Sequence, residues 1–320
     1  MKHKIIFPLL ALVLIMSLIA IPGCVEEKAE KHVIFGTGAW SGDWLEIYVP
    51  KILLEEQLGY TCEIADLSVP GTWAAMGAGE VDLWMNAWFP NTMDFEIENR
   101  AATEWLGLIY GSSQSPDDVC LQFWAVPTWV SEEYGITSVA DLDNPEFAEM
   151  FDLDGNGVGD ILGCDAAWKC AAMIDEEIVE YGLEGLYEQQ YGAEAMMMAA
   201  VEGHLLKDEP VLFYMYTPHP FFVKFPIGES VTILDDPLNF WGGHATIYKF
   251  GNADWVAANP DAANIVRQVK MTMTDVGWSM AEIEARGDDA ATLEAIAREW
   301  MAEHQKEINS WLEEALGEKE

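Results

Sequence analysis

Short apolar runs alternate with longer segments of helical periodicity along most of the chain. In the first third, the strand-like run HVIFGTG precedes the helical segment DWLEIYVPKILLEEQLG, and YTCEIADL, GTWAAMGAGE and VDLWMNAWF follow as strand, helix and strand. From Ala262 onward the pattern is mostly helical. Because strands that alternate with helices are typical of units built around a parallel sheet, the pattern predicts an α/β fold.

The middle of the chain repeats this alternation and places large rings at the ends of predicted elements. Helices are predicted near 169–181 and 193–205, and the run PVLFYMY is predicted to be a strand. Trp88 and Tyr216 close strand-like runs, and Trp168 directly precedes a helix. Ligand sites in open α/β sheets lie beyond the carboxyl ends of strands. Since 320 residues exceed one typical domain, we expect two lobes with these rings near a cleft between them.

The N-terminus has the pattern of an export signal. A positively charged start is followed by an apolar stretch from Ile5 to Ile21 and then by IPGC, which ends at Cys24. This stretch is short for a membrane span, and it predicts a signal peptide over 1–23, lipid modification of Cys24 and a tether over 24–31. A plain cleaved signal and an uncleaved anchor are the alternatives, and both also imply export. We therefore expect a lipid-anchored protein on the outer face of the cell membrane.

The charge of the chain narrows the classes of partner. It has 55 acidic and 16 basic residues, for a formal net charge of −39. Such a balance argues against nucleic acid, because phosphate binding needs Lys and Arg. Disorder is not implied, since 51% of the residues are hydrophobic, enough for a large core. A folded and very acidic exported protein suggests a halophilic habitat, where salt screens the repulsion.

Four cysteines follow Cys24, and an even number in an exported chain favours disulfides. Cys164 and Cys170, which enclose Trp168 in GCDAAWKC, are the expected local pair. A second bridge between Cys62 and Cys120 and a pair of buried thiols are equally open alternatives.

An acidic loop, DLDGNGVGD, matches most of a calcium-binding loop. Asp152, Asp154 and Asn156 alternate, and Asp160 follows in ninth place, as in loops that bind calcium through oxygen atoms. The usual glutamate at position twelve is replaced by Gly163. A weak or structural calcium site and a solvated turn are therefore both open, and no other cofactor is expected.

The fourteen tryptophans give a better indication of function than any catalytic motif. The sequence contains no G-x-S-x-G, H-E-x-x-H or phosphate-binding loop, and its six histidines are scattered, which argues against an enzyme. A quaternary ammonium has no N–H group, so proteins hold it by stacking electron-rich ring faces around it. The rings near strand ends therefore favour a ligand of this class.

Four stretches resemble the substrate-binding proteins of ABC-type glycine betaine importers, the ProX/OpuAC-like family. They are GEVDLWMNAWFP, FDLDGNGVGDILGCDAAWKC, YMYTPHPFFV and WMAEHQKEINSWLEEAL. The resemblance implies a bilobal, type II periplasmic-binding-protein-like fold, in which crossing strands join two α/β lobes and the ligand lies between them. The expected boundaries are 32–125 with 236–320 for lobe 1, and 126–235 for lobe 2.

The resemblance also assigns roles to individual residues. The box of three tryptophans that surrounds the trimethylammonium group falls on Trp88, Trp168 and Tyr216, so a tyrosine replaces the third tryptophan. The ligand carboxylate would be held by the backbone amides of Lys169 and Cys170. A histidine that assists them in the family is replaced here by a threonine, Thr92, and Lys169 stands where the family has glycine.

The resulting expectation is a monomeric binding protein that delivers glycine betaine, or a related quaternary-ammonium osmolyte, to an ABC permease in the membrane. Choline, carnitine and other methylated amines are alternative ligands. A ligand sensor that takes no part in transport is the alternative from a different functional class.

Overall fold

The computed structural model describes residues 31–38, 40–111 and 118–317, and these form two lobes with one five-stranded sheet each. The predicted signal peptide over 1–23 and the predicted lipidation at Cys24 lie outside the described residues. The strands are β1 His32–Thr37, β2 Thr61–Asp66, β3 Leu83–Phe89, β4 Thr103–Tyr110, β5 Gln122–Pro127, β6 Gly159–Leu162, β7 Tyr187–Gln190, β8 Leu212–Tyr216, β9 Val231–Ile233 and β10 Thr246–Asn252.

The helices cover most of the remaining chain. They are α1 Asp43–Leu53, α2 Val69–Ala78, α3 Met93–Asn99, α4 Thr128–Tyr134, α5 Pro145–Met150, α6 Lys169–Glu180, α7 Glu194–Leu205, α8 Phe221–Lys224, α9 Ala253–Ala258, α10 Pro260–Gln268, α11 Met273–Arg286, α12 Ala290–Glu303 and α13 Gln305–Leu316. No helix in the described part of the chain is both long and apolar enough to cross a membrane.

The first lobe is built on a sheet of order β2-β1-β3-β10-β4. β1 pairs in parallel with β2 and β3, whereas β10 runs antiparallel to both β3 and β4. β3 is buried along nearly its whole length, as expected for a central strand that helices cover on both faces. This burial explains why its sequence, LWMNAWF, is an almost continuous apolar run.

The second lobe repeats this arrangement with the order β7-β6-β8-β5-β9. β6 pairs in parallel with β7 and β8, and β5 runs antiparallel to β8 and β9. In both lobes the antiparallel strand neighbours the place where the chain passes between lobes. The parallel sheets expected from the sequence thus each contain one inserted strand of opposite direction.

Two chain segments connect the lobes and contact each other. Cys120, just before β5, pairs with Ala245, just before β10, and the Ala245 amide donates to the Cys120 carbonyl at 2.7 Å. β5 belongs to the second sheet, so the expected boundary at residue 125 falls inside this strand. The expected return at residue 236 lies between β9 and β10.

Local sequence signals explain the helix that lies beside the cleft, α2. Its N-cap residue, Ser68, accepts a hydrogen bond from the Gly71 amide, and Gly79 ends the helix in a left-handed conformation with φ of 77°. Both are preferred solutions for the unpaired backbone groups at helix ends. Together they fix where the loop after β2 turns toward the second lobe.

Candidate functional site

Four aromatic rings meet where the two lobes face each other. Trp88 lies near the end of β3, Tyr216 ends β8, and Trp168 is the N-cap residue of α6. The ring of Trp40, from the loop after β1, contacts all three, with centroid distances of 5.1 Å to Trp88, 5.6 Å to Trp168 and 5.4 Å to Tyr216. The structure therefore brings the three predicted rings together around a fourth.

Trp40 is the member of this cluster that the sequence reasoning missed. It lies in GAWSG, a stretch without strand or helix periodicity, and it is one of fourteen tryptophans. A signal was nevertheless present in the sequence, because Trp40 lies in the loop that follows the end of β1 at Thr37. This loop is at the same carboxyl edge of the sheet as Trp88. Ligand sites form at that edge, so the rule applied to Trp88 also applied to Trp40.

Hydrogen bonds at the polar edges of the indoles fix two of the rings. Trp88 Nε1 donates to Asn86 Oδ1 at 2.6 Å, and Asn86 Nδ2 donates to Glu46 Oε2 at 2.6 Å. Trp168 Nε1 donates to the carbonyl oxygen of Gly38, in the other lobe, at 3.0 Å. Both indoles are thus held through N–H while their faces remain available for contact.

A narrow cavity of about 50 Å³ borders the cluster. Its lining includes Trp40, Trp88 and Trp168, and three buried polar atoms of lining residues have no hydrogen-bond partner within the described part of the chain. These atoms are Asp43 Oδ1, Asn91 Oδ1 and Gln122 Nε2. Since buried polar groups in proteins are nearly always paired, the cavity has the character of a site for a ligand with both apolar and polar parts.

Two buried carboxyl groups lie beside the rings in the first lobe. Asp43 is 1% exposed, and its Oδ2 accepts hydrogen bonds from Thr37 Oγ1 and the Gly38 amide, both at 2.8 Å. Burial raises the pKa of Asp43 to about 7. Burial, together with the neighbouring charge of Asp43, raises the pKa of Glu46 well above its usual value. A cation near these groups would favour their ionised forms.

Contacts between the lobes surround the cluster. The Val69 amide donates to the Ala167 carbonyl at 3.2 Å, beside the hydrogen bond of Trp168 to the opposite lobe. Lys169 Nζ lies 3.0 Å from Asp94 Oδ2 and also lies over the Phe95 ring, 4.9 Å from its centroid. The lobes are therefore in a closed arrangement.

The residues expected to hold a carboxylate all line the cavity, but two of their side chains have other partners. The Thr92 hydroxyl donates to the Trp88 carbonyl at 2.9 Å, and the Lys169 ammonium pairs with Asp94. The backbone amides of Lys169 and Cys170 lie in the first turn of α6. Amides there have no intrahelical acceptor, and a helix N-terminus favours an anion. The assignment of a ligand carboxylate to these residues stays a prediction.

The expected local disulfide is present. Cys164 and Cys170 are bonded, with 6.6 Å between their Cα atoms, and they enclose the turn that carries Trp168. Cys62 and Cys120 are free thiols, so of the two alternatives left open for them the structure has the unbridged one. Cys62 is half-buried and Cys120 is buried, and burial raises the pKa of the Cys62 thiol to about 12.

The acidic loop brings together the carboxylates expected to bind calcium. One oxygen atom from each of Asp152, Asp154 and Asp160 lies within 4.8 Å of the others. Asp152 also accepts the amides of Gly155 and Gly157 at 2.7 and 2.8 Å. The hydrogen bond from Gly157 is the main cause that lowers the Asp152 pKa. The loop therefore has three converging carboxylates that could bind a cation. Its turn is also stabilised by hydrogen bonds from its own backbone amides to Asp152.

Comparison with known families supports the resemblance drawn from the sequence. Residues 31–303 match the OpuAC family model, described as the substrate-binding domain of ABC-type glycine betaine transport systems. A curated relative, the glycine betaine/proline betaine-binding periplasmic protein of Salmonella typhimurium, is 27% identical over 213 residues. That alignment covers 61% of this chain and 64% of the relative, which is less than two thirds of its length.

Solved structures share the fold. The glycine betaine/L-proline-binding protein ProX from Borrelia burgdorferi gives a TM-score of 0.76 at 20% identity, covering 88% of this chain and 96% of that protein. An ABC-transporter choline-binding protein in complex with choline gives 0.75 at 21% identity, with 88% and 92% covered. The prediction of a bilobal fold of the type II periplasmic-binding kind is thereby confirmed.

Proposed function

We propose that this chain, which belongs to the OpuAC family of substrate-binding domains of ABC-type glycine betaine transport systems, binds a quaternary-ammonium osmolyte between its lobes. The observation that carries the proposal is the cluster of Trp40, Trp88, Trp168 and Tyr216 at the lobe interface. Ring faces attract a cation that cannot donate hydrogen bonds. Because the rings contact one another directly, the lobes part to admit the trimethylammonium group and close again with the rings around it.

The polar surroundings of the rings suit the opposite end of glycine betaine. The first-turn amides of α6, at Lys169 and Cys170, are donors for a carboxylate. The amide side chain of Gln122, whose Nε2 is a buried donor without a partner in the described part of the chain, also lines the cavity. Glycine betaine would therefore place its methyl groups against the rings and its carboxylate at the start of α6.

A second candidate ligand class consists of cations without a carboxylate, such as choline. The observation that favours it is Asp43, a buried carboxyl group whose Oδ1 is unpaired in the described structure and which lines the same cavity. A neighbouring carboxylate stabilises a cation and repels a zwitterion's negative end. The contacts of Thr92 and Lys169 also favour a ligand without a carboxylate. The Thr92 hydroxyl is paired with the Trp88 carbonyl and the Lys169 ammonium with Asp94, so neither side chain is turned to a ligand carboxylate.

In this proposal the protein works outside the cytoplasm as a monomer, anchored through Cys24, and passes its ligand to an ABC permease. The curated relative from Salmonella typhimurium is a periplasmic binding protein. A sensor that binds the same ligand without transport differs in one observable respect, because it would not associate with a permease. Co-purification with a permease from membranes supports import.

The proposal is tested by titrating the folded chain with glycine betaine, proline betaine and choline, followed by tryptophan fluorescence and calorimetry. We expect saturable binding with a change in tryptophan emission, since the ligand would contact several of the indoles. Stronger binding of glycine betaine than of choline indicates that the α6 amides hold the carboxylate. Stronger binding of choline than of glycine betaine indicates that the attraction between Asp43 and the ligand cation outweighs the hydrogen bonds to a carboxylate. A protein that binds none of the three ligands would contradict the proposed function.

A further inference from the structure

Glu194, the first residue of α7 in the second lobe, forms hydrogen bonds with both lobes. Its Oε2 accepts from the Ser41 amide at 3.1 Å and from Ser41 Oγ at 2.8 Å, across the cleft. Its Oε1 accepts from the Tyr216 hydroxyl and lies 3.5 Å from His219 Nε2, within its own lobe. The Glu194 side chain is 16% exposed, so these contacts are largely shielded from water.

These contacts lead directly to the ring cluster. Ser41 follows Trp40 in the chain, and Tyr216 is itself one of the four rings. The Glu194 carboxylate therefore fixes the loop that carries Trp40 in the first lobe, and it also fixes the hydroxyl edge of the Tyr216 ring in the second lobe. Neither Glu194 nor Tyr216 lines the cavity, whereas Trp40 does, so the effect of Glu194 on a ligand passes through Trp40 and through the Tyr216 ring that contacts it.

The carboxylate is ionised at neutral pH. Burial alone would raise the pKa of Glu194, but the hydrogen bond and electrostatic attraction of His219, together with hydrogen bonds from Tyr216 and Ser41, lower this pKa below its usual value. Hydrogen bonds to an ionised acceptor are stronger than neutral ones. The N-terminal position on a twelve-residue helix adds a favourable interaction with the helix dipole.

The side-chain ion pair described between the lobes is more exposed than the hydrogen bonds of Glu194. In the pair of Lys169 with Asp94, the side chains are 20% and 52% exposed. Pairs of that kind contribute little to stability because water and salt screen them. Among the charged contacts described across the cleft, the contact of Glu194 with Ser41 is the better shielded one.

We propose that Glu194 is a positioning residue that couples closure of the lobes to the placement of Trp40 and Tyr216. This inference rests on the proposed function, because its effect is on the affinity for a quaternary-ammonium ligand. When the lobes close, Ser41 reaches the carboxylate that already holds Tyr216, and the two rings take up their places together. Opening the lobes breaks the Ser41 contacts and releases the Trp40 loop.

The test replaces Glu194 by glutamine, which keeps the shape of the side chain. An amide has one acceptor oxygen and one NH₂ donor, so in either orientation its NH₂ group meets a donor that it cannot pair. That donor is the Ser41 backbone amide on one side, or on the other His219 Nε2, since His219 Nδ1 already accepts from the Phe221 amide. We expect Glu194→Gln to weaken binding of the best of glycine betaine, proline betaine and choline about tenfold or more, corresponding to one decade in Kd. Its melting temperature should stay near that of the parent, and small-angle X-ray scattering at fixed ligand concentration should show a larger radius of gyration.

Two further variants complete the experiment. Glu202→Gln is the matched control, since Glu202 lies on the same helix and pairs with Lys224 at the surface of the same lobe; its affinity should equal that of the parent. Ser41→Ala removes one donor from the other lobe and should weaken binding about three- to tenfold. In the double variant of Ser41 and Glu194 the two losses should be less than additive.

Each outcome bears on the inference. Parent-like affinity in Glu194→Gln overturns it, and so does a loss of affinity without any change in scattering. If Glu194→Gln fails to fold, Ser41→Ala decides, because weakened binding supports the inference and parent-like binding overturns it. A parent protein that binds none of the three ligands overturns the proposed function and the inference with it, whereas binding that is equal in parent and variant overturns the inference alone.

Discussion

At the scale of single residues, the site separates the polar edge of each ring from its face. The Trp88 and Trp168 indole nitrogens and the Tyr216 hydroxyl all donate to groups of the scaffold. At the lobe interface the rings pack mainly edge to face, with interplanar angles of 64° between Trp40 and Trp88, 71° between Trp40 and Trp168 and 86° between Trp88 and Tyr216. Rings whose edges are fixed in this way lose little conformational freedom when a ligand arrives, which favours tight binding.

This arrangement predicts a loss of affinity when one ring is removed. Each ring contributes a cation–π attraction on the order of 1–2 kcal/mol in a desolvated site, so Trp168→Ala should weaken ligand binding roughly tenfold or more. Tyr216→Leu should weaken it as well, because an aliphatic side chain offers no negative ring face. Calorimetric titration of the folded variants measures both effects.

The matched control for this prediction is Trp105→Ala. Trp105 is 60% exposed on β4, an edge strand of the first sheet, so its removal should leave the Kd unchanged. If Trp168→Ala and Tyr216→Leu both bound the ligand like the parent while staying folded, the cation site would lie elsewhere.

The residues of the site were predictable to different degrees. Trp88 and Tyr216 close strand-like runs and Trp168 precedes a helix, and the resemblance to the family singled out these three rings. The contribution of Trp40 could not be derived from periodicity, since its ring meets the other three only where the lobes close. The same holds for Thr92, whose hydroxyl donates to a carbonyl one turn back, a choice that the sequence does not reveal.

At the scale of secondary structure elements, strongly periodic segments were predicted well and polar strands were not. α6 and α7 lie within one or two residues of their expected bounds. β10, in contrast, contains the fully buried Lys249, whose ammonium donates to the carbonyl oxygens of Val266 and Arg267 at 3.0 Å. Burial lowers the pKa of Lys249 to about 7, and these carbonyls near the end of α10 accept its hydrogen bonds. A buried lysine thus interrupts the apolar pattern of a strand that pairs with β3 and β4 on its two sides.

The acidic loop before β6 is the element whose chemistry is easiest to test. We propose that it binds calcium weakly, because three carboxylates converge there but no glutamate closes the loop. Adding Ca²⁺ on the order of 1 mM, the range of weak extracellular sites, to chelator-treated protein should raise the melting temperature, since binding to the folded state stabilises it.

Asp154→Asn should remove most of this rise, and Mg²⁺ should replace Ca²⁺ poorly because Mg²⁺ requires a tighter octahedral geometry. An identical melting temperature with chelator and with calcium would mean that the hydrogen bonds of Asp152 to backbone amides are sufficient to hold the turn.

At the scale of the whole molecule, the dominant property is the net charge of −39. The 55 acidic residues outnumber the 16 basic ones more than threefold, and the mutual repulsion of their charges opposes the folded state. Salt shortens the range of that repulsion, from about 30 Å at 0.01 M to about 3 Å at 1 M. The buried rings and hydrogen bonds of the site are screened much less.

We therefore predict that stability and binding respond differently to salt. The melting temperature should rise between low and molar NaCl, while the Kd for the bound ligand in the folded protein should change much less. Circular dichroism melts and calorimetric titrations over the same salt series measure the two quantities. A melting temperature that stays constant over this range would show that the repulsion is already compensated within the fold.

The closed contacts between the lobes also have a consequence for the time a ligand remains bound. The hydrogen bonds of Ser41 to Glu194, of Trp168 to Gly38 and of Val69 to Ala167 all bridge the cleft around the rings. A ligand behind them leaves only after these contacts and its own contacts with both lobes break together, so the dissociation rate is the rate at which the liganded lobes open. Differences in affinity between ligands then appear mainly as differences in residence time, and a permease that holds the lobes apart would release the ligand without having to compete for it.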